Sequence, residues 1–246
     1  MTVTGQDQRT LWVTGAGSGI GRAVAVSAGR SGYRVGVSGR RPDALDETVS
    51  LVEQSGGRAI ALPLDVRSDD EVRSGHARLT EAFGPVTDLV AAAGLNAKRR
   101  YWRDQSRHEF EDIVQVNLMG SVRVIDAVLP GMRSGGRGTV VIVSSYAAWT
   151  ASPHAGVAYS ASKTALSTLA LSLNAQESSA GIRCTHLCPG EVDTDFLSLR
   201  PEVPDGDARR RMLSPDDVAR SVQFVLDSPA HVTIDELVIS PVPQKR

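Results

Sequence analysis

Short apolar runs alternate with longer amphipathic segments along the chain, and this alternation restricts the possible folds more than any other feature. The apolar runs cover 11–14, 34–38, 59–64, 88–92, 139–143, 183–187 and 236–239. Patterns of helical periodicity separate them, at 19–30, 42–54, 69–83, 105–132, 159–178 and 215–226. Buried strands that each lead into a helix are typical of a parallel sheet covered on both faces. The sequence predicts an α/β fold, a single doubly wound Rossmann domain over 1–246 with about seven parallel strands.

Charge and hydropathy exclude several classes of partner. The 246 residues carry 27 basic and 28 acidic side chains, a formal net charge of −1. This balance predicts no nucleic-acid partner. No run approaches the ~20 apolar residues that a membrane span needs, and the amino-terminal segment shows no signal pattern. We therefore expect a cytoplasmic protein with no membrane partner.

The chain has two cysteines, Cys184 and Cys188, in one apolar run. On a strand they would share a face about 13 Å apart, because each residue rises about 3.3 Å. That separation exceeds the reach of a disulfide. We expect two buried free thiols, as in a reducing compartment, and no metal site.

A glycine-rich segment follows the first apolar run and opens the first helical pattern. Glycines let the backbone approach a pyrophosphate, and the start of a helix offers unpaired N–H groups to an anion. The spacing is not Gly-x-Gly-x-x-Gly, because residue 20 is Ile. The predicted phosphate-binding residues are Gly15, Gly17, Ser18, Gly19, Ile20 and Gly21.

This Thr-Gly-x-x-x-Gly-x-Gly loop resembles that of the short-chain dehydrogenase/reductase family, in its single-domain type of about 250 residues. The resemblance covers residues 10–244. It implies an NAD(P)-dependent oxidoreductase that moves a hydride between nicotinamide and an alcohol or carbonyl carbon. It also implies a homo-tetramer or dimer.

Tyr159 and Lys163 match the Tyr-x-x-x-Lys motif of that family. Residues four apart share a helix face, and an ammonium beside a phenol lowers the phenol's pKa. Tyr159 is therefore a candidate general acid or base. The resemblance implies that Lys163 also binds the nicotinamide ribose.

Ser145 and Asn117 complete the expected catalytic group. The family's serine stands thirteen residues before the tyrosine, a place that Tyr146 occupies here. We infer a one-residue insertion and assign Ser145, with Ser144 as the alternative. Its hydroxyl would stabilise charge on the substrate oxygen. The resemblance implies that Asn117, after Val116, holds a water that links the lysine to solvent.

Other matches fall at the ends of later apolar runs. The resemblance implies that Pro189, Gly190, Val192 and Thr194 wrap the nicotinamide. It places Asp65 and Val66 at the adenine, and Ala93 and Gly94 beside the cofactor. One departure is Ala91-Ala92, where the family usually has two asparagines that brace the sheet.

The end of the second apolar run indicates the cofactor. NAD enzymes commonly place an acidic residue there for the ribose 2′-hydroxyl, whereas this chain has Arg40 and Arg41. A guanidinium suits a 2′-phosphate. We expect NADP(H), with NAD as the alternative.

The substrate side is less defined. Residues 193–213 are predicted to form a lid, and the substrate is a small molecule. Lys98, Arg99 and Arg100 could attract a hydroxy or oxo acid, although a solvated charge run is the favoured interpretation. Trp149 is expected to pack rather than bind substrate, and His154 is not expected to be catalytic. The carboxyl-terminal residues 236–244 resemble the branch with 3-hydroxy acid and serine dehydrogenases.

Two other functions fit such a fold. The chain could be a non-catalytic nucleotide-binding sensor or scaffold, but such proteins usually lose a catalytic residue. Nucleotide-sugar epimerases and dehydratases are longer and use a different glycine spacing.

Overall fold

The structure, a computed structural model, describes residues 9–242 and contains one seven-stranded sheet. All its strands are parallel, in the order β3-β2-β1-β4-β5-β6-β7. The Rossmann-like α/β fold is therefore confirmed. The polar start of the chain and the tail from Pro243 lie outside the described residues. The strands are β1 Thr10–Thr14, β2 Arg34–Gly39, β3 Arg58–Pro63, β4 Asp88–Ala91, β5 Gly138–Val143, β6 Ile182–Pro189 and β7 Glu236–Ile239.

Helices cover both faces of the sheet. Apart from short 3-10 turns, they are α1 Gly19–Arg30, α2 Pro42–Gln54, α3 Asp69–Phe83, α4 Arg107–Val114, α5 Gly120–Gly135, α6 Tyr146–Trp149, α7 Val157–Glu177, α8 Gly206–Arg209 and α9 Pro215–Leu226. Successive strand residues point to opposite faces. Val141 accordingly joins a core cluster with α1, α2 and α9, whereas Ile142 joins one with α3, α5 and α7. Both residues are fully buried.

The helical pattern at 105–132 has shifted ends and an internal irregularity. It begins at Arg107, because Ser106 and Glu109 form a capping box. It continues to Gly135 and ends at Gly136, whose φ of 63° is left-handed. Between α4 and α5 lies a π-helical turn, Gln115–Met119, which carries Asn117. Such turns are frequent at functional sites.

The expectation that no segment is apolar enough to span a membrane needs one qualification, at this helix. By length and composition, Arg107–Gly135 could cross one, with a mean hydropathy of 1.3 in its most apolar window. In the structure 44% of that window is buried. Val124 and Val128 pack in the core cluster of α3 and α7. A core helix is thus one explanation of its apolar composition.

The carboxyl ends of the strands meet at one edge of the sheet, where the loops form a cleft. Residues 193–213 leave and re-enter the fold at this edge. Leu213 pairs with Val192 in a parallel bridge, and its N–H donates to Glu191 O at 2.9 Å. The segment predicted to be a lid is therefore fastened at its base.

Candidate active site

A cleft of about 990 Å³ lies at the carboxyl edge of the sheet. Every residue proposed above to bind the cofactor lines it, as do Ser145, Tyr159 and Lys163. Asn117 is fully buried and lies beneath the cleft wall. Parallel sheets bind their ligands at this edge, so the sequence-predicted residues converge where a ligand is expected.

The loop before α1 has the features of a phosphate site. Ser18 caps α1 without a side-chain hydrogen bond, and the first turn contains no acidic residue. The first N–H groups of the helix are thus left for an anion. Gly15 has a φ of 65°, and a Cβ there would lie 2.8 Å from Ala92 O. Only glycine allows this loop to pack so closely on the loop after β4.

Ser145 and Tyr159 form the polar centre of the cleft. Ser145 follows β5 and caps α6, where its Oγ accepts the N–H of Ala147 at 3.2 Å. The Ser145 hydroxyl lies close enough to that of Tyr159 to act on it, lowering the pKa of the phenol against the effect of burial. The phenol ring lies 6.1 Å from that of Phe196, measured between ring centroids. Two hydroxyls thus lie together where a carbonyl oxygen could accept from both.

Ser144 occupies a different position from Ser145. It is buried, and its Oγ donates to the backbone carbonyl of Lys163 at 3.1 Å. It therefore ties β5 to α7, while Ser145 faces the tyrosine. This geometry favours Ser145 over the alternative.

Lys163 is buried one helical turn from Tyr159. Its Nζ donates to Val143 O at 2.8 Å and lies 5.9 Å from the centroid of the Tyr159 ring. Burial lowers the pKa of Lys163 to about 8. At neutral pH the ammonium is a buried positive charge beneath the tyrosine.

Burial of the Tyr159 phenol acts against the effect expected of Lys163. Burial raises the pKa of Tyr159 above its usual value, and the groups that act against this rise are Ser145, Arg100 and Arg200. The lysine is itself poorly solvated and directed at a backbone carbonyl. The effect of the Lys163 ammonium on Tyr159 stays a prediction.

Asn117 joins the helix to the loop after β4. Its Oδ1 accepts the Leu95 N–H at 2.7 Å, and its Nδ2 donates to Leu95 O and Ser162 Oγ, each at 3.0 Å. Both amide N–H groups are thus engaged within the protein. The side chain fixes the loop at Gly94, where a Cβ would lie 3.8 Å from Lys163 Nζ. We interpret Asn117 as a positioning residue.

Comparison with known proteins identifies the family. The short chain dehydrogenase family model matches residues 9–203. The chain belongs to this family. A glycine betaine reductase of Emericella nidulans is 35% identical over 237 residues, which are 93% of this chain but only 18% of that protein. An uncharacterised oxidoreductase of Staphylococcus saprophyticus is 30% identical, over 94% of this chain and 96% of the relative.

Solved structures of dehydrogenases also superimpose closely on this chain. A serine dehydrogenase with NADP⁺ superimposes with a TM-score of 0.87 at 30% identity, covering 96% of each chain. An alcohol dehydrogenase from Thermococcus sibiricus with 5-hydroxy-NADP gives 0.87 at 29% identity, covering 98% of this chain and 99% of that one. This short-chain dehydrogenase is thus an oxidoreductase, with structural neighbours that bind NADP.

The two asparagines that are missing after β4 have a substitute in this dehydrogenase. Thr14 Oγ1 accepts the N–H groups of Ala92 and Ala93, each at 3.1 Å. The threonine at the end of β1 therefore holds the neighbouring loop in place. The alanine departure leaves the cleft wall intact.

At the adenine end, Asp65 is held by Arg67. Arg67 donates to Asp65 Oδ2 from Nε at 3.0 Å and from Nη2 at 2.7 Å. Arg40 and Arg41 are exposed at the cleft. Neither guanidinium forms an ion pair within residues 9–242. They remain available to an anionic ligand.

The basic run after β4 divides in two. Lys98 and Arg99 are exposed, and Arg99 pairs with Glu109 at 3.0 Å. Arg100 is only 4% exposed and lines the cleft. The prediction of a solvated charge run is therefore wrong for Arg100. No sequence signal separated it from its neighbours.

The aromatic and histidine candidates lie apart from the catalytic group. Trp149 is half exposed, packs its ring 5.2 Å from that of Tyr146, and lines a shallow groove with Trp102. His154 is exposed at the cleft. This position agrees with packing for Trp149 and gives His154 no contact with Tyr159.

The cysteines are buried and free, as expected. The sequence analysis missed the neighbours of Cys188. His186 Nδ1 lies 3.4 Å from Cys188 Sγ and 3.0 Å from Glu236 Oε1. The pairing of His186 with Glu236 across β6 and β7 creates this cluster. His186 and Glu236 are fifty residues apart in sequence. Only the register of β6 against β7 could have revealed this cluster.

Proposed function

We propose that this protein is an NADPH-dependent carbonyl reductase, able in reverse to oxidise a secondary or primary alcohol. The observation that supports this most strongly is that Tyr159 and Ser145 line the same cleft, close enough to act on each other, beside the buried ammonium of Lys163. General acid catalysis needs a proton donor within hydrogen-bond reach of the reacting oxygen. The cleft offers two such hydroxyls side by side.

The chemistry follows from the positions of these residues. When bound, the nicotinamide supplies or accepts the hydride. Ser145 and Tyr159 would hold the carbonyl oxygen, and Tyr159 would donate a proton to it as negative charge develops there. Lys163, as a buried cation, favours that charge and the resulting phenolate. In the oxidation direction Tyr159 takes the proton from the alcohol.

Arg40 and Arg41 support NADPH over NADH. They stand exposed at the end of β2, on the cleft, and form no ion-pair contact within the described part of the chain, although the charge of Arg40 acts on Asp65. A 2′-phosphate would give these guanidiniums a charge-assisted partner. The pyrophosphate would lie at the start of α1, where N–H groups are free.

Other expected properties stay proposals. We propose that residues 193–213 act as a lid over the nicotinamide and substrate, since their base is fastened by Val192 and Leu213. A cytoplasmic homo-tetramer or dimer is what the family resemblance implies. Glycine betaine and serine, named for two relatives, are different compounds and do not identify the substrate here.

The test is the initial rate of nicotinamide absorbance change with ketones, aldehydes, oxo acids and 3-hydroxy acids, using NADPH and NADH in parallel. We expect turnover with NADPH that falls at least about 100-fold in Tyr159→Phe, while NADPH binding by fluorescence titration stays near wild type. Tyr33→Phe, which also removes a phenolic hydroxyl but in the core, is the matched control. Retained turnover in Tyr159→Phe would exclude the proposed acid, and NADPH binding without turnover across the panel would favour a sensor or scaffold.

A further inference from the structure

Arg100 is a buried cation at the catalytic end of the cleft. It lies between β4 and α4, is 4% exposed, and lines the same cleft as Tyr159. Its positive charge acts on the Tyr159 hydroxyl. An arginine remains charged in proteins, even when buried. Its position therefore places a permanent positive charge beside the reacting groups.

The protein compensates this charge only in part. Arg100 Nε donates to Ala97 O at 2.8 Å, and Nη2 donates to Leu199 O. Both acceptors are neutral carbonyls, and together they use two of the five N–H donors of a guanidinium. Within residues 9–242, no carboxylate forms an ion pair with Arg100. A buried charge is costly unless an opposite charge pairs with it.

The neighbouring arginine does not supply that compensation. Arg200 lies at the end of the 3-10 turn that carries Leu199, and its Nη1 pairs with Glu191 Oε1 at 3.0 Å. Burial and the charge of Arg200 both lower the pKa of Arg100. Arg200 thus has its carboxylate, whereas Arg100 has none and is repelled by Arg200. Arg100 therefore lines the cleft as a buried cation that forms no ion pair within residues 9–242.

We propose that Arg100 binds a carboxylate of the substrate, so that this enzyme acts on oxo acids and hydroxy acids. The inference rests on the proposed reductase function and names its substrate class. The unpaired N–H groups on Nη1 and Nη2 form the fork that binds a carboxylate through two parallel hydrogen bonds. A cationic carbonyl compound would meet like charge at this position and bind poorly.

A structural role makes a different prediction. Arg100 links the loop after β4 to Leu199 in the predicted lid. If this link were its only role, substitution would impair every substrate equally. If Arg100 binds the substrate, the loss depends on the charge of the substrate. A matched pair, an oxo acid and its methyl ester, separates the two roles.

The experiment compares Arg100→Gln, Arg100→Lys and the exposed neighbour Arg99→Gln on that pair. We expect Arg100→Gln to raise KM for the oxo acid by about tenfold or more, with at most about a twofold change for the ester. Arg100→Lys, which keeps the charge but loses the fork, should fall between. Arg99→Gln should match wild type for both. An equal loss on acid and ester would overturn the proposal, as would no loss on the acid.

A binding measurement keeps this proposal distinct from the reductase proposal. Calorimetry with oxamate and with uncharged ethyl oxamate, on protein saturated with NADPH, needs no turnover. Oxamate binding that is lost in Arg100→Gln would support the carboxylate site even if no carbonyl compound is reduced. Turnover of neutral ketones, with oxamate and ethyl oxamate binding equally or not at all, would overturn the site and leave the reductase function standing. If Arg100→Gln fails to fold, binding of oxamate and ethyl oxamate is compared between Arg100→Lys and wild type.

Discussion

The side-chain amide of Asn117 forms two hydrogen bonds with the backbone of a single residue, Leu95. It accepts the Leu95 N–H at 2.7 Å and donates to the Leu95 carbonyl at 3.0 Å. Asn174 does the same on the other side of the molecule, accepting the N–H of Cys184 at 2.6 Å and donating to its carbonyl at 2.9 Å. Each asparagine thus replaces a strand neighbour for one peptide group. Only the first of these pairs adjoins the catalytic residues.

Asn117→Ala should therefore reduce both stability and activity. Its removal leaves the Leu95 N–H and carbonyl without their side-chain partners and takes one donor from Ser162, a loss of about 1–3 kcal/mol in the free energy of unfolding. It also frees the loop that carries Gly94 beside Lys163, so kcat should fall at least about tenfold. Urea denaturation and steady-state rates measure the two effects.

Asn174→Ala is the control for this prediction, because it removes an equivalent pair of hydrogen bonds far from Tyr159. We expect a similar loss of stability and a kcat within about twofold of wild type. An equal fall of kcat in both variants would mean that Asn117 acts only through general stability.

Ser145→Ala should mainly reduce kcat, whereas Ser144→Ala should mainly reduce stability. Ser145 lies close enough to Tyr159 to act on its hydroxyl, and loss of a donor to a developing oxyanion costs about 100- to 1,000-fold in kcat. Ser144 instead binds the Lys163 carbonyl at 3.1 Å. Its removal should lower the free energy of unfolding by about 1 kcal/mol and alter kcat much less. A larger loss of kcat in Ser144→Ala would reverse the assignment.

The fold could be predicted from the sequence because periodicity and glycine position act locally. The seven apolar runs match the seven strands, with ends that differ by at most two residues. The helix that carries Asn117 begins later than predicted, at Arg107 after its capping box, and ends later than predicted, at Gly135 before the left-handed Gly136. The π-helical turn within it left no mark in the residue pattern, since a single extra residue barely changes the apolar stripe.

Contacts between distant loops could not be predicted in the same way. Arg99 and Arg100 are adjacent residues of the same type, yet Arg100 is buried whereas Arg99 pairs with Glu109 at the surface. The difference comes from Leu199, whose carbonyl meets Arg100 from a segment 99 residues away. The His186 and Glu236 pair likewise depends on strand register. Sequence motifs identify the catalytic residues, whereas the position of the Arg100 charge depends on packing between distant loops.

Arg40→Ala should change the choice of cofactor. The side chain is exposed at the cleft beyond β2, and loss of a charge-assisted hydrogen bond to a 2′-phosphate should weaken NADPH about 10- to 100-fold. NADH lacks that phosphate, so its Kd should stay within about twofold. Fluorescence titration with both nucleotides gives the ratio. Arg30→Ala, an exposed arginine at the end of α1, controls for net charge, and equal weakening of both nucleotides in Arg40→Ala would argue against a 2′-phosphate contact.

Lys163→Met should make the protein more stable at neutral pH while removing its activity. Burial lowers the pKa of Lys163 from 10.5 to about 8, so the folded protein holds this proton less tightly than the unfolded chain. The cost of the buried charge is fully present below about pH 8 and is relieved as pH rises from about 8 towards 10.5. The wild type should gain stability over that window, relative to a variant in which the methionine cannot ionise.

Urea midpoints at pH 7, 8, 9 and 10 measure this difference between wild type and Lys163→Met, which cancels the titration of other groups. The advantage of the variant should be largest at pH 7 and shrink steadily towards pH 10. Lys98→Met removes an exposed ammonium and should show no such trend. A constant difference across the range would mean that the lysine enters the fold with an ordinary pKa. In that case the fall expected in kcat/KM for carbonyl reduction above about pH 8 should also be missing, because that fall reports the same proton leaving the free enzyme.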